Sequence, residues 1–264
     1  MRRLWLIHCR KNERYCFKGS WDRNSALLCA AAGHADHCDC RSCPFRVAFV
    51  FSHGRFSTAA CLYSSEAGVW GEVTSMFTGN QFVERKPMAL VGNTLYCLLD
   101  NNWIIEFDFD TYNLQVIGEL SYKVLNSCIG HIIMTTQDGQ LGLASVGGFS
   151  LQLWSSTTCI DDGMVTWADR RVIDLEKLLA PEVVAACTAP VWPTGYAQDA
   201  DVIFIEVYPS GVYMIHLKSL QIEKVSENMV HGYICPYTSF YAPGINIGGQ
   251  DDQPELLLDN TRDD

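Results

Sequence analysis

Four stretches of this chain repeat one pattern: an apolar run of strand character ending in an aromatic residue or leucine, a polar turn, and a second apolar run. They occupy residues 60–70, 105–116, 151–155 with 165–169, and 212–222. With Tyr63, Phe109, Trp154 and Leu217 taken as equivalent positions, the intervals are 46, 45 and 63 residues. A period in the forties made of strands and turns is the mark of a β-propeller blade, because a four-stranded sheet with two apolar faces stays unburied until neighbours stack on it. The expected fold is all-β, a partial β-propeller of about four antiparallel blades. The spacing leaves open whether such a chain closes on itself or remains an open arc.

Alternation and turn residues place the strands. The first blade is expected from Ala26 to Ala31, Phe45 to Phe51, Thr58 to Tyr63 and Trp70 to Ser75. The second begins with one long run from Ala89 to Leu99, turns at Asp100-Asn101-Asn102, and returns through Trp103 to Phe109 and Leu114 to Ile117. The third takes His131 to Thr136, Leu141 to Val146, Phe149 to Trp154 and Met164 to Leu175. The fourth takes Val202 to Val207, Val212 to Leu217 and Ile222 to Val225, with Tyr237 to Tyr241 as a closing strand. Between the third and fourth, Leu175 to Ala180 before Pro181 suits a turn or two of helix, which accounts for the longer interval.

The ends differ in character from this β region. Residues 1–24 carry Arg2, Arg3, Arg10, Lys11, Arg14, Lys18 and Arg23 with neither alternation nor a helical stripe, and read as an irregular basic segment. Residues 25–245 form the propeller-like domain, and residues 246–264 read as a disordered tail, with six carboxylates and one arginine in the last fourteen positions.

The formal charge of −11 argues against nucleic acid, since a phosphate backbone is held by clustered Lys and Arg. The apolar run Leu4-Trp5-Leu6-Ile7 is far short of a signal-peptide core, and no run approaches the roughly 20 residues that span a bilayer, so no membrane partner is expected. The twelve cysteines are scattered, mostly within apolar runs such as Ala26 to Cys29 and Leu95 to Leu98, and read as buried free thiols. No Asn-x-Ser/Thr acceptor occurs. These features together suit a reduced compartment, cytoplasmic or nuclear.

No phosphate-cradling Gly-x4-Gly-Lys-Ser/Thr, no Gly-x-Ser-x-Gly elbow and no His-Glu-x-x-His occurs, and no enzymatic activity is expected. Glu106, Asp108 and Asp110 alternate with Ile105, Phe107 and Phe109 and therefore share one strand face, where a solvated row is the ordinary reading and a bridging cation the sharper one. Asp161-Asp162 lies in a Ser/Thr-rich loop and reads as solvated. The densest ligand cluster is His34, His37, Cys38, Cys40 and Cys43, in which Cys40-Arg-Ser-Cys43 has the spacing of a zinc knuckle. Zinc and a plain polar loop are both compatible with it, and no other cofactor is implied.

The stretch Ser25 to Gly33, then Asp36-His37, Pro44-Phe-Arg-Val47, Cys61 to Glu66 and Trp70-Gly-Glu-Val73, resembles the associated β-propeller domain of plant F-box proteins, especially the large grass group. Val91 to Tyr96, Gly139 to Ala144, Trp167 to Leu175 and Gly211 to Leu217 continue the likeness across about residues 20–245. The resemblance implies a substrate-recognition module: F-box helices hold a Skp-type adaptor and cullin in a ubiquitin ligase, while the propeller presents a target protein. Residues 1–24 do not match the F-box of that family, so a Skp-type adaptor is implied only where an F-box is supplied. A truncated product without stable function and a zinc-binding structural module are the other readings.

A protein-binding propeller presents its partner residues in loops on one rim. Counting strands places His53, Arg55 and Phe56, then Gly148 and Phe149, then Tyr208, Pro209 and Ser210 on a shared rim. The protein-binding candidates are thus His53, Arg55, Phe56, Phe149, Tyr208 and Ser210, whose aromatic and arginine members suit interface anchors. The target itself has no signature.

Overall fold

The computed structural model describes residues 4–5, 23–29, 44–120, 128, 130–158, 165–229 and 232–234. Within them the chain folds into four antiparallel sheets that follow one another as propeller blades. Blade 1 takes β2 (Arg23–Cys29), β3 (Phe45–His53) and β4 (Ser57–Ser64) in sequence. Its outer position is shared by β5 (Val69–Trp70) and β6 (Thr74–Phe77), both paired with β4. On the opposite edge, β1 (Leu4–Trp5) pairs with β2, setting Leu4 opposite Leu28 and Trp5 opposite Leu27. The outer strand expected from Trp70 to Ser75 is therefore broken: the Gly71 amide donates to the Leu62 carbonyl (2.8 Å), and pairing resumes only at Thr74.

Blade 2 is the order β7 (Ala89–Val91), β8 (Thr94–Leu98), β9 (Trp103–Asp108) and β10 (Leu114–Glu119). The run from Ala89 to Leu99, expected as one strand, is a hairpin. Gly92 at φ +60° and Asn93 form its two-residue turn, and Val91 pairs with Thr94. A glycine with positive φ at the first central position is what a tight hairpin of this kind requires. Blade 3 comprises β11 (Gly130–Thr135), β12 (Leu141–Gly147), β13 (Ser150–Thr158) and β14 (Val165–Asp174), close to expectation.

Blade 4 is the order β15 (Trp192–Ala197), β16 (Val202–Val207), β17 (Gly211–His216) and β18 (Ile222–Ser226). Its inner strand, β15, precedes the run expected to open this blade at Val202; it is an edge strand of the sheet, paired only with β16, a position where a proline is tolerated. The structure accommodates its proline and glycine at a bulge, where the register against β16 shifts between Pro193 and Gly195. The closing strand expected from Tyr237 to Tyr241 lies outside the described residues. The helical turn expected after Leu175 is a 3-10 turn at Leu175–Lys177, capped by the Asp174 side chain accepting from the Glu176 amide. A short helix, α1 (Pro181–Ala186), then begins on the proline.

Period-two alternation turns each sheet into a two-faced slab, and stacking the slabs builds the core. Ala48, Val50 and Leu62 of blade 1 pack with Leu95, Phe107 and Phe109 of blade 2. Leu98 and Ile104 of blade 2 pack with Ile133, Leu143 and Trp154 of blade 3. Ile132 and Val146 of blade 3 pack with Ile203, Ile205 and Ile215 of blade 4. Among the described residues no cluster joins blade 4 to blade 1. Instead Phe51, Ala59 and Cys61 form a separate group on blade 1, and Val202, Phe204, Val212 and Ile234 another on blade 4. Single hydrogen bonds lock neighbouring blades: Thr135 Oγ1 donates to the Leu90 carbonyl (2.9 Å) and Arg171 Nη1 to the Leu217 carbonyl (2.5 Å).

Within blade 3 the Trp154 indole N–H donates to Ser145 Oγ at 3.0 Å, and both residues are buried. Trp154→Phe is expected to cost about 1–3 kcal/mol, since it leaves the Ser145 hydroxyl unpaired in the core. The shift of the urea midpoint followed by circular dichroism measures it.

Candidate protein-interaction rim

The turns between second and third strands all emerge at the same end of their sheets, together with the connections that lead from each blade to the next. That rim carries His53 to Phe56 from blade 1, Leu99 to Asn102 from blade 2, Gly148 and Phe149 from blade 3, and Tyr208 to Ser210 from blade 4. His53, Arg55 and Phe56 are exposed, and the His53 ring meets Phe51 edge-on at 6.3 Å. Phe56, 49% exposed, stacks on Phe77, 75% exposed, with centroids 6.3 Å apart and planes at 26°. Phe77 was not among the expected candidates. It reaches Phe56 because β6 pairs with β4 in a register that sets Phe77 opposite Ser57.

The other candidates behave differently. Phe149 is half-buried against the core between blades 3 and 4, and its carbonyl accepts from the Leu175 amide at 2.8 Å. It supports the fold more than it offers an anchor. Tyr208 is exposed and Ser210 half-buried. The candidates thus share a rim but sit on three separate blades.

At blade 4 the rim deepens into a cleft of about 350 Å³, lined by Trp192, Pro193, Thr194, Glu206, Tyr208 and Tyr233 among others. Trp192 lies directly opposite Glu206 across the β15–β16 pair, so their side chains leave the sheet on the same face. The Thr188 amide donates to the Tyr208 carbonyl (3.3 Å) and the Ile234 amide to the Thr194 carbonyl (2.7 Å), which ties the walls to the sheet. Thr194 Oγ1 is buried without a hydrogen-bond partner. The Trp192 ring rests over Gly130, where a Cβ would come 2.6 Å from a ring carbon, so only glycine lets the indole seat there. Burial, followed by the charge of Glu84, pushes the Tyr233 hydroxyl up to about 12, and it stays a neutral donor. Of this cleft only Tyr208 was foreseen. Trp192 and Glu206 become neighbours only through the β15–β16 register.

Beside the inner strands lies a second polar group. Lys86 Nζ stands 2.7 Å from Glu84 Oε2 and 3.3 Å from His131 Nε2. Glu84 Oε2 makes no aligned hydrogen bond, so the contact with Lys86 is an ion pair by distance alone. Lysine only donates, which makes His131 Nε2 the acceptor and places the ring proton on Nδ1, itself buried and unpaired. Burial first and the Lys86 charge second lower the His131 pKa to about 3, so the ring is neutral near pH 7. Asn24 Nδ2 donates to the Glu84 and Lys86 carbonyls (2.6 and 3.1 Å), fastening this connector to blade 1.

The carboxylates expected along one strand face do not form a row: β9 ends at Asp108, Asp110 lies in the turn that follows, and all three are committed to structure. Asp108 Oδ1 accepts from the Thr111 amide (2.7 Å), the Asp110 amide (3.0 Å) and Thr111 Oγ1 (2.7 Å), and these bonds hold its pKa below the ordinary value. Glu106 accepts from Gln115, and Asp110 from Asn93. Among the described residues no group of three or more His, Cys, Asp and Glu is arranged to hold a metal. His34, His37, Cys38, Cys40 and Cys43, and likewise Asp161 and Asp162, lie outside the described residues. Cys61 and Cys97 are buried free thiols, as their apolar settings imply, and burial raises the Cys61 pKa to about 11. No helix among the described residues is long and apolar enough to cross a membrane.

Comparison with known proteins supplies the family. No curated protein matches the chain. A structural genomics protein of unknown function from Bacteroides thetaiotaomicron aligns at 12% identity and a TM-score of 0.33, covering 77% of this chain and 50% of its own. A chain of the Mitotic Checkpoint Complex aligns at 11% identity and a TM-score of 0.34, covering 75% of this chain and 59% of its own. The protein therefore spans between half and three-fifths of the solved chains it resembles. The family model described as "F-box protein AT5G49610-like, beta-propeller" matches residues 25–244, from within β2 of blade 1 to beyond the last strand of blade 4. The chain belongs to the β-propeller family of F-box proteins of that type.

Proposed function

We propose that this propeller is a non-enzymatic protein-interaction module, the target-recognition part of a Skp-cullin-F-box ubiquitin ligase. The observation that carries the reading is the family match over residues 25–244, a domain named for proteins that join an F-box to a propeller. The rim supports it with exposed Arg55, Phe56, Phe77, Tyr208 and Trp192, residue types enriched at protein interfaces. The Skp-type adaptor would be reached only through an F-box, and the propeller would contribute the target. The reading needs no cofactor, and cytoplasm or nucleus is the compartment it suits.

The test is an affinity capture from plant extract with the proteasome blocked, comparing this chain alone with the chain joined to an F-box. A shared target recovered by both, with adaptor and cullin recovered only by the F-box form, is the expected outcome. Replacing Arg55, Phe56 and Tyr208 together with Ala is expected to weaken target binding at least tenfold, as anchor residues at an interface do. Unchanged binding by that triple variant, with an unchanged urea midpoint, would remove the rim as the contact surface.

A further inference from the structure

Strand register puts Phe45, Phe49, Tyr63, Trp70 and Phe77 on the face of blade 1 turned away from blade 2. Ring contacts join most of them into one surface: Phe45 meets Tyr63 at 6.2 Å, Tyr63 meets Trp70 at 5.4 Å, and Trp70 meets Phe49 at 6.4 Å. At the rim end Phe77 adds its stack with Phe56. Phe49 packs against buried Ala59 and Cys61, while Phe45 (41% exposed), Trp70 (43%), Phe56 and Phe77 form the open outer layer and Tyr63 is half-buried. Aromatic side chains carry about 150–250 Å² each, so at these exposures the six rings present on the order of 500 Å² of apolar surface. A standard interface takes about 800 Å² from each partner, roughly two-thirds of it apolar in homodimers, so the open area is what one such interface needs. Apolar patches of this size on soluble proteins mark contact sites.

The charges around the face define what fits it. On β3 to β6 no Asp, Glu, Lys or Arg shares this face. Exposed Arg55 stands in the turn at one end of β4 and exposed Glu66 in the turn at the other, and neither is ion-paired among the described residues. A face with opposite charges at its two ends and none between is complementary to itself under a two-fold axis through its middle. That axis sets Arg55 of one copy against the partner's Glu66.

From this geometry we infer that blade 1 docks on a second copy of this chain, face to face in an antiparallel two-fold pair. The formal charge of −11 opposes the pair at long range, and screening beyond about 8 Å at physiological salt limits that cost. The pair covers Arg55, Phe56 and Phe77 and leaves Tyr208 and the blade 4 cleft open to a target.

Sedimentation equilibrium of the purified full chain from about 1 to 200 μM reads this association without any target, so it stands or falls separately from target capture. A monomer–dimer equilibrium is expected. Phe77→Ser, at the most exposed ring, and Trp70→Ser are each expected to weaken the dimer at least tenfold, with circular dichroism confirming the fold. Arg55→Glu and Glu66→Arg are each expected to weaken it at least threefold, because each sets like charges together at both ends of a symmetric interface. Both reversals in one chain are expected to restore it. A chain that stays monomeric throughout the range, one that grows beyond dimers, or a dimer indifferent to the two serine variants or to the single charge reversals overturns the inference. So does a double reversal that fails to recover what the single ones lose.

Discussion

Phe107→Ala is expected to destabilise the protein by about 3–5 kcal/mol, the cost of deleting a large aromatic side chain from a packed core. Phe107 sits on β9, opposite Leu95 on one neighbouring strand and Leu114 on the other, and is 1% exposed. Its ring meets Phe109 at 5.4 Å and Tyr112 at 6.3 Å, both at interplanar angles of 76°, the edge-to-face arrangement that adds to simple burial. It also belongs to the core that joins blade 2 to blade 1, so the cavity opens at the seam between the two sheets. A truncation there is expected to lower the urea midpoint and, if blade 1 separates first, to broaden the transition. A loss below about 1 kcal/mol would mean the seam collapses freely around the missing ring, contrary to close packing.

The second large effect is a loss of stability in acid through His131. Its pKa in the folded protein is about 3, below the roughly 6.5 of an unfolded chain. Above pH 6.5 the ring is neutral in both states and contributes no pH dependence. Between 6.5 and 3 the unfolded chain binds a proton that the folded one refuses, so stability falls with falling pH and levels off below the folded pKa. At pH 4.5 this single group costs about 2.7 kcal/mol relative to pH 7, from about 1.4 kcal/mol per unit over two units. His131→Gln keeps an acceptor for Lys86 and lacks the titration. Urea unfolding at pH 7 and 4.5 is expected to show the wild type losing about 2–3 kcal/mol more than the variant. Equal losses would mean that water reaches the ring and that its pKa is near the ordinary value.

The places where sequence reading succeeded and failed have one physical origin. Strands such as β11 to β13 and β16 to β18 announce themselves because alternation and a glycine or polar turn coincide, and local preference agrees with tertiary need. Two errors arose where these cues conflicted. Gly92-Asn93 is a two-residue hairpin signal set inside the continuous apolar run from Ala89 to Leu99, which by its pattern alone reads as one strand. Pro193 and Gly195 interrupt the strand pattern before Val202, and nothing local reveals that the edge position of β15 and its bulge admit them. That error concealed the cleft, because Trp192 and Glu206 are fourteen residues apart and meet only through the β15–β16 register. Phe149 illustrates the reverse case: its loop position was legible, but its burial against the neighbouring blade was not.

The period of strands and turns, the apolar faces of the sheets and the residue runs shared with F-box propellers were set by the sequence itself, because each depends on neighbours along the chain. What the loops present was decided by tertiary structure. Strand register paired Phe77 with Phe56, packing between blades buried Phe149 and isolated the His131 ring beside Lys86, and the two together gathered Trp192, Thr194, Glu206, Tyr208 and Tyr233 around one cleft. Those placements depend on register and on the packing of one blade against the next. Both are contacts between residues far apart in the chain, for which no local pattern exists.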